Sequence, residues 1–252
     1  MDNYITWQVE HYPTLPSTND YCIEQARLDN RSNLAVLADS QTTPRGSRGR
    51  QWVEPTGNLA LSFLYWPSFS IKKVHWVPFV ASLALYDAVI NLCGNQHELC
   101  IKWPNDLLFN NKKIAGILIE SHIEYPCHLK WLVLGFGVNI FSAPLLSDRV
   151  VGCLKDFIVD PPTPKQLAEH VGVSLSYWLQ CLSSEKESLI RDEWSKRSIK
   201  IGTPLVVTIA NNQYQGVYNG IDEKGFLLLK TPTKMEHISA GEVFYLDKYK
   251  EK

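Results

Sequence analysis

The sequence predicts an α/β chain of the α+β type, in which a mixed β-sheet with helices packed on one face is followed by a small all-β unit. Three observations carry this. Apolar runs of strand length, such as NLAVLADSQ and HLKWLVLGFGVNI, alternate with longer helical patterns such as IKKVHWVPFVASLALYDAVINLCG, and run length and period separate the two states. Past Lys200 the texture changes: GTPLVVTIANNQYQGVYNGIDEKGFLLLKTPTKMEHISAGEVFYL packs five short β-type runs between turn signals, as a small barrel or sandwich does. The 252 residues, 45% hydrophobic with 8 Trp and 11 Tyr, are enough for a sizeable core and too aromatic for a disordered chain.

Each element has a local reason. Ser17 and Asp20 resemble a capping box, a hydroxyl at the cap with an acid three residues on, and predict a helix of about three turns. NLAVLADSQ is a strand that delivers the chain into TTPRGSRGRQW, and LALSFLYWP is the strand that leaves it. The long helical pattern ends at Gly94, with Pro78 at a kink or in the first turn. LCIKWPNDLLFNNKKIAGILIESH reads as a strand into a Trp-Pro turn, then two strands joined at Asn110-Asn111, because Asn tolerates the positive φ of a tight hairpin. The nearly continuous apolar run that ends in GFG is a buried central strand. PPTPKQLAEHVGVSLSYWLQCL and EKESLIRDEWSKRS are two further helices, and the boundary falls near residue 200, giving units 1–199 and 200–252.

Composition excludes several classes. A formal net charge of -1 does not supply the broad basic face of a general nucleic-acid binder. The start, MDNYITWQVEHY, lacks a basic region followed by an apolar core, and no stretch approaches the 18 or so consecutive apolar residues of a membrane span, so a cytoplasmic protein is expected. The 6 Cys are scattered without a C-x-x-C and the 7 His without an H-x-x-x-H, so reduced thiols and no protein-held metal are expected.

The chemistry concentrates in five stretches. TTPRGSRGRQW sets Arg45, Arg48 and Arg50 among glycines, either a solvated loop or a claw for a phosphate or carboxylate. Lys102-Trp103-Pro104-Asn105-Asp106 projects polar side chains from one stiff turn, and the hairpin at Asn110-Asn111 returns Lys113 toward Asp106; a structural ion pair and an acyl-activation site both use that arrangement. Gly116 sits inside a strand, where a bulge or the close approach of a flat ligand explains it. Ser17-Thr18-Asn19 serves as a helix cap or offers hydroxyls and an amide to a urea-like group. Gly135-Phe136-Gly137-Val138-Asn139 marks a tight strand end, with Asn139 supplying an amide that donates and accepts.

STN before a helix, QT-x-x-RG-x-RG-x-x-W, KWPND, KKIAGILIE and GFGVN occur in this order from Pro16 to Asn139, and together they resemble the biotin protein ligase family. GIDEKGFLLL and GEV are similar to that family's small SH3-like domain. The resemblance implies a class II synthetase-like catalytic fold that joins biotin to AMP with ATP and Mg2+, then passes the biotinyl group to a lysine of a biotin carboxyl carrier protein of acetyl-CoA carboxylase. It implies that Ser17, Thr18, Asn19 and Gln41 hold the biotin head group. Arg45, Gly46, Ser47 and Lys113 line its carboxylate end, and Gly116 lies against the ring. Arg48, Arg50, Trp52 and Asn139 serve the adenylate, with Trp52 covering the ligand as the loop closes. Lys113, Arg45 and Asp106 carry the chemistry, the first two as cations with Arg48 and the last orienting or deprotonating the incoming amine.

Three departures stand out. Pro44 replaces the family's usual glycine, Ser47 replaces a common arginine, and FSAPLLSDRVVGCL after Asn139 has no tryptophan to stack on adenine. The STN motif begins at residue 17, so a ligase without operator binding is expected, monomeric or a weak ligand-linked homodimer. Two rivals remain: a lipoate or octanoate transferase of related fold, and a non-enzymatic sensor of biotin or its adenylate. KWPND with QT-x-x-RG favours biotin, and the set of Lys113, Asp106 and loop arginines favours catalysis.

Overall fold

The computed structural model describes residues 5–29, 33–53, 55–94, 97–146, 150–210 and 212–246, leaving aside the side chain of Arg48. Its first sheet is built from β1 (Gln8–Tyr12), β2 (Leu34–Ala38), β3 (Leu59–Tyr65), β4 (Leu99–Lys102), β5 (Asp106–Phe109), β6 (Lys112–Glu124) and β7 (His128–Val138). The spatial order is β1-β2-β3-β7-β6-β5-β4. Only β1 and β2 run parallel, so the sheet is mixed, as expected.

Helices cover both faces of this sheet, not one. Helix α1 (Thr18–Arg27) shares a core with Leu34, Val36 and Ala38 of β2, whereas Ala35 and Leu37 of the same strand face α2 (Val77–Cys93) and α3 (Pro164–Ser183). Because successive side chains point to opposite faces, a strand buried at all five positions must be covered twice. Helix α2 is apolar on nearly every side, with Pro78 in its first turn and Gly94 (φ 75°) ending it. The stretch Ile71–Cys93 is long and apolar enough for a membrane span by composition. Its place between the sheet and α3 accounts for that character, since a helix apolar all round is a core helix when it is enclosed. Thr163 and Gln166 form a reciprocal capping box at the start of α3, behind Pro164 at the first position.

The hairpin expected at Asn110-Asn111 is there, with φ of 46° and 58° at the two asparagines. The Trp103–Pro104 peptide is cis, and across β4 and β5 Lys102 pairs with Asp106. Helix α4 (Glu187–Arg197) leads to a second, five-stranded antiparallel sheet of β8 (Pro204–Ile209), β9 (Asn212–Ile221), β10 (Leu227–Lys230), β11 (Met235–Ile238) and β12 (Glu242–Tyr245), in the order β11-β10-β9-β8-β12.

The two sheets are joined by side chains of the Lys-Trp pair. The buried Trp103 indole N–H donates to Gly225 O at 3.0 Å, and Lys102 Nζ donates to Val243 O at 2.9 Å. Gly225 lies in a turn that Asp222 organises by accepting from the N–H groups of Lys224 and Phe226. A side chain at Gly225 would press on Phe79 at 3.0 Å and would also meet a φ of 74°.

Candidate functional site

The residues expected to bind biotin or the adenylate or to carry the chemistry, from Ser17 to Asn139, line one cavity of about 780 Å³, with Arg48 set apart because its side chain lies outside the described residues. The cavity is floored by β6 and β7. Positions 135, 137 and 139 lie on one face of the β7 segment because side chains alternate along a strand. They carry the site in three steps over roughly 13 Å.

At the first step, Gly135 makes room for Asn19: a Cβ there would stand 2.0 Å from Asn19 Oδ1. Asn19 accepts from Ser62 Oγ at 2.6 Å and donates to Glu120 Oε2 at 2.9 Å. Thr18 donates its N–H to Gln41 Oε1 at 2.9 Å, and its hydroxyl lies 2.7 Å from Ser62 Oγ. Ser17 caps α1 by accepting from Asp20 N at 3.3 Å, while the Asp20 carboxylate pairs with Arg45 at 2.7 Å. Ser17, Thr18 and Asn19 are buried and Gln41 is half-buried, and together they line the cavity as one polar cluster.

At the second step, Gly137 and its cross-strand partner Gly116 form a strip without side chains. The Trp52 indole lies on it, within 2.6 Å of a Cβ built at Gly137 and 3.0 Å of one at Gly116. Lys113 borders the same strip. At the third step Asn139, 2% exposed, donates from Nδ2 to Gly152 O at 3.0 Å, and its side-chain carbonyl has no hydrogen-bond donor among the described residues.

Lys113 Nζ donates to Asp106 Oδ1 at 2.5 Å, and Lys102 Nζ stands 3.2 Å from Asp106 Oδ2. Desolvation pushes the Asp106 carboxyl up, but the two ammonium groups outweigh it and hold the group well below the usual carboxylate range.

The arginine loop is a small hairpin of its own. Arg45 bridges to Gln51, Gly46 N–H donates to Arg50 O at 2.8 Å, and Ser47–Gly49 form a single 3-10 turn. Arg45 lines the cavity, and its charge is met by two carboxylates. Its guanidinium grips Glu120 with two parallel bonds of 3.0 and 2.7 Å and also reaches Asp20. Arg50 pairs with Glu242 of β12. Pro44 is buried and Ser47 exposed. Sequence reasoning missed Ser62, Glu120, Lys102 as a site residue, and the β12 segment from Glu242 to Tyr245 that lines the cavity mouth. A serine amid the apolar LALSFLY and an acid closing the apolar IAGILIE were the available signals.

A family model for the biotin/lipoate A/B protein ligase family matches residues 12–139, and one for the biotin protein ligase C-terminal domain matches residues 200–246. The biotin--[acetyl-CoA-carboxylase] ligase of Paracoccus denitrificans is 35% identical over 215 residues, 83% of this chain and 89% of that protein. Among solved structures, the biotin protein ligase from Aquifex aeolicus in complex with biotin and ATP superposes with a TM-score of 0.76 at 23% identity, covering 94% of this chain and 97% of that one. The Leishmania major biotin protein ligase in complex with biotinyl-5-AMP does so with a TM-score of 0.66 at 24% identity, covering 92% and 99%.

Proposed function

The chain belongs to the biotin/lipoate A/B protein ligase family, and on that premise we propose that it is an ATP-dependent biotin protein ligase of the cytoplasm. It joins the biotin carboxylate to the α-phosphate of ATP, releasing pyrophosphate, and passes the biotinyl group from AMP to a lysine amine of a biotin carboxyl carrier protein. The units 1–199 and 200–252 act as catalytic domain and SH3-like companion.

The observation that carries this reading is the three-step floor: a polar cluster, a strip bare of side chains beside a lysine, and a buried amide whose carbonyl has no partner among the described residues. A urea group has two N–H donors and one carbonyl acceptor, which hydroxyl and amide groups of Ser17, Thr18, Asn19 and Gln41 can meet. The bicyclic ring needs a flat floor, and Gly116 with Gly137 supplies one. An entering ring lifts the Trp52 indole, which then covers the ligand and keeps water from the mixed anhydride. The Asn139 carbonyl suits the exocyclic amine of adenine.

Two anions must meet at the reacting centre, so a fixed cation there lowers the barrier. Lys113, which borders the glycine strip, is the cation that supports this reading. In the absence of substrate its charge is held by Asp106. When substrate anions draw the ammonium away, Asp106 loses its strongest partner and becomes a better acceptor for the proton of the incoming lysine. Among the described residues no three Asp, Glu, His or Cys side chains gather as a metal cage, so Mg2+ entering with ATP would take most of its ligands from the phosphates.

The test is direct. Incubation with ATP, Mg2+ and either biotin or octanoate should give pyrophosphate and labelled carrier lysine with biotin alone. Transfer of octanoate in preference to biotin, or no pyrophosphate with either acid, overturns the reading.

A further inference from the structure

Glu120 closes a connection that neither the ligand cluster nor the arginine loop explains alone. It stands on β6, and one of its oxygens serves two masters: Oε2 accepts from Asn19 Nδ2 at 2.9 Å and from Arg45 Nη2 at 2.7 Å, while Oε1 accepts from Arg45 Nη1 at 3.0 Å. Asn19 is 4% exposed and fixed from the other side by Ser62. Its position is further determined by Gly135, whose missing side chain it fills. The two parallel bonds to Arg45 form the planar fork in which arginine grips a carboxylate with defined direction. Asp20, on α1 with Asn19, takes the remaining face of the same guanidinium at 2.7 Å.

We propose that Glu120 is a positioning residue that ties the 42–52 lid, through Arg45, to the head-group cluster, through Asn19. Arg45 is then the anchor of the lid and not a cation spent on the substrate anions. The consequence is a linkage. A ligand that fixes Asn19 also fixes Glu120, and through it the root of the lid, so head-group occupancy and lid closure favour each other. The specific ligand here is the head group of the proposed biotin reading, on which this inference rests; the tie between cluster and lid is readable without any substrate.

The lid offers its own probe, because trypsin cuts after arginine and the loop contains Arg48 and Arg50 beyond the anchor. Cleavage of a native loop follows the population of its open form when opening is fast. In the ligand-free full chain, Glu120→Gln should raise nicking after Arg48 and Arg50 about tenfold, the scale of one charge-assisted hydrogen bond lost from the closed form. Glu120→Asp, which keeps the charge, should return part of the protection. Arg45→Gln should raise nicking as much as Glu120→Gln, and the double variant no further, since both sever one link. A urea midpoint close to that of the parent shows that nicking reports the loop and not global unfolding. With substrates, the same variants should raise KM for biotin and speed adenylate loss more than they lower the rate of the chemical step.

Unchanged nicking in a folded Glu120→Gln protein overturns the proposal, as do additive effects in the double variant. Should biotin leave nicking of the parent protein unchanged while pyrophosphate is still released with biotin, the linkage falls and the biotin reading stands; no pyrophosphate with biotin, while Glu120→Gln still opens the loop, sinks the biotin reading and leaves the anchor. The two failures are thus distinguishable.

Discussion

Replacing Gly135 by alanine tests the floor of the cavity. The added Cβ would lie 2.0 Å from Asn19 Oδ1 and 2.9 Å from its Cγ. The strand cannot move away, because Gly135 is paired on one side with Ser62 of β3 and on the other with Leu118 of β6. Asn19 must therefore leave, losing its bonds with Ser62 and Glu120. At about 1 kcal/mol for the first and about 2 kcal/mol for the second, which involves a carboxylate, Gly135→Ala should cost about 3 kcal/mol. For a chain of this size that is a fall of about 6–12 °C in Tm. Asn19→Ala removes the same bonds together with the side chain that is in the way. In that background the added methyl should cost under about 0.5 kcal/mol, and the double variant should match Asn19→Ala alone. Urea unfolding of the four proteins measures the cycle. A cost of about 3 kcal/mol for Gly135→Ala in both backgrounds would mean that the clash is not with Asn19, and the account of this end of the site would be refuted.

Other expectations follow from single contacts. The Asp106 carboxyl sits below its unfolded value of about 3.9, so its pairing stabilises the fold above about pH 4 and that contribution is withdrawn as pH falls further. Asp106→Asn should flatten the decline of the urea midpoint below about pH 4, and an unchanged slope would show that the lysines do not perturb the group. Trp103→Phe removes the donor to Gly225 O while keeping an apolar ring; it should cost about 1–3 kcal/mol in urea, and a neutral result would mean that the indole bond does not hold the second sheet. Ser47→Arg restores an anion contact to an exposed lid position and should slow loss of the labelled adenylate about tenfold; an unchanged release rate contradicts a role for that position in retention.

What the sequence revealed divides by range. The Asn110-Asn111 hairpin was legible because positive φ is a property of two adjacent residues and needs no partner. The second sheet was legible from the density of short apolar runs. By contrast, the reasons for Gly135 and Gly137 lie in Asn19 and Trp52, on other elements, so the glycines read as a plain strand end. The two-sided helical cover was present in the all-buried β2, yet it required knowing that α1 turns to the face opposite α2 and α3. The charge of Arg45 is visible in the sequence, whereas its carboxylate partner Glu120 stands 75 residues away and cannot be read from the loop.

The distribution of those charges gives the lid its logic. Arg45 holds Glu120 and Asp20, Arg50 holds Glu242, and Lys113 shares Asp106 with Lys102. A cavity that gathered these cations without counter-ions would suffer their repulsion and their desolvation in the ligand-free state. With carboxylates in place the site is nearly neutral before substrate arrives. On the proposed reaction, a substrate anion would enter by exchange, displacing one carboxylate from one cation, instead of binding to a bare charge. Exchange of one anion for another has a small net free energy, so it confers little affinity at that point. For the proposed reaction, tight binding must come from the neutral polar groups of the head-group cluster and from the buried Asn139 amide, whose carbonyl has no partner among the described residues. On the proposed reaction, this separates holding from reacting: neutral groups at the two ends retain the adenylate, and the exchangeable Lys113–Asp106 pair between them responds to the charge that develops there.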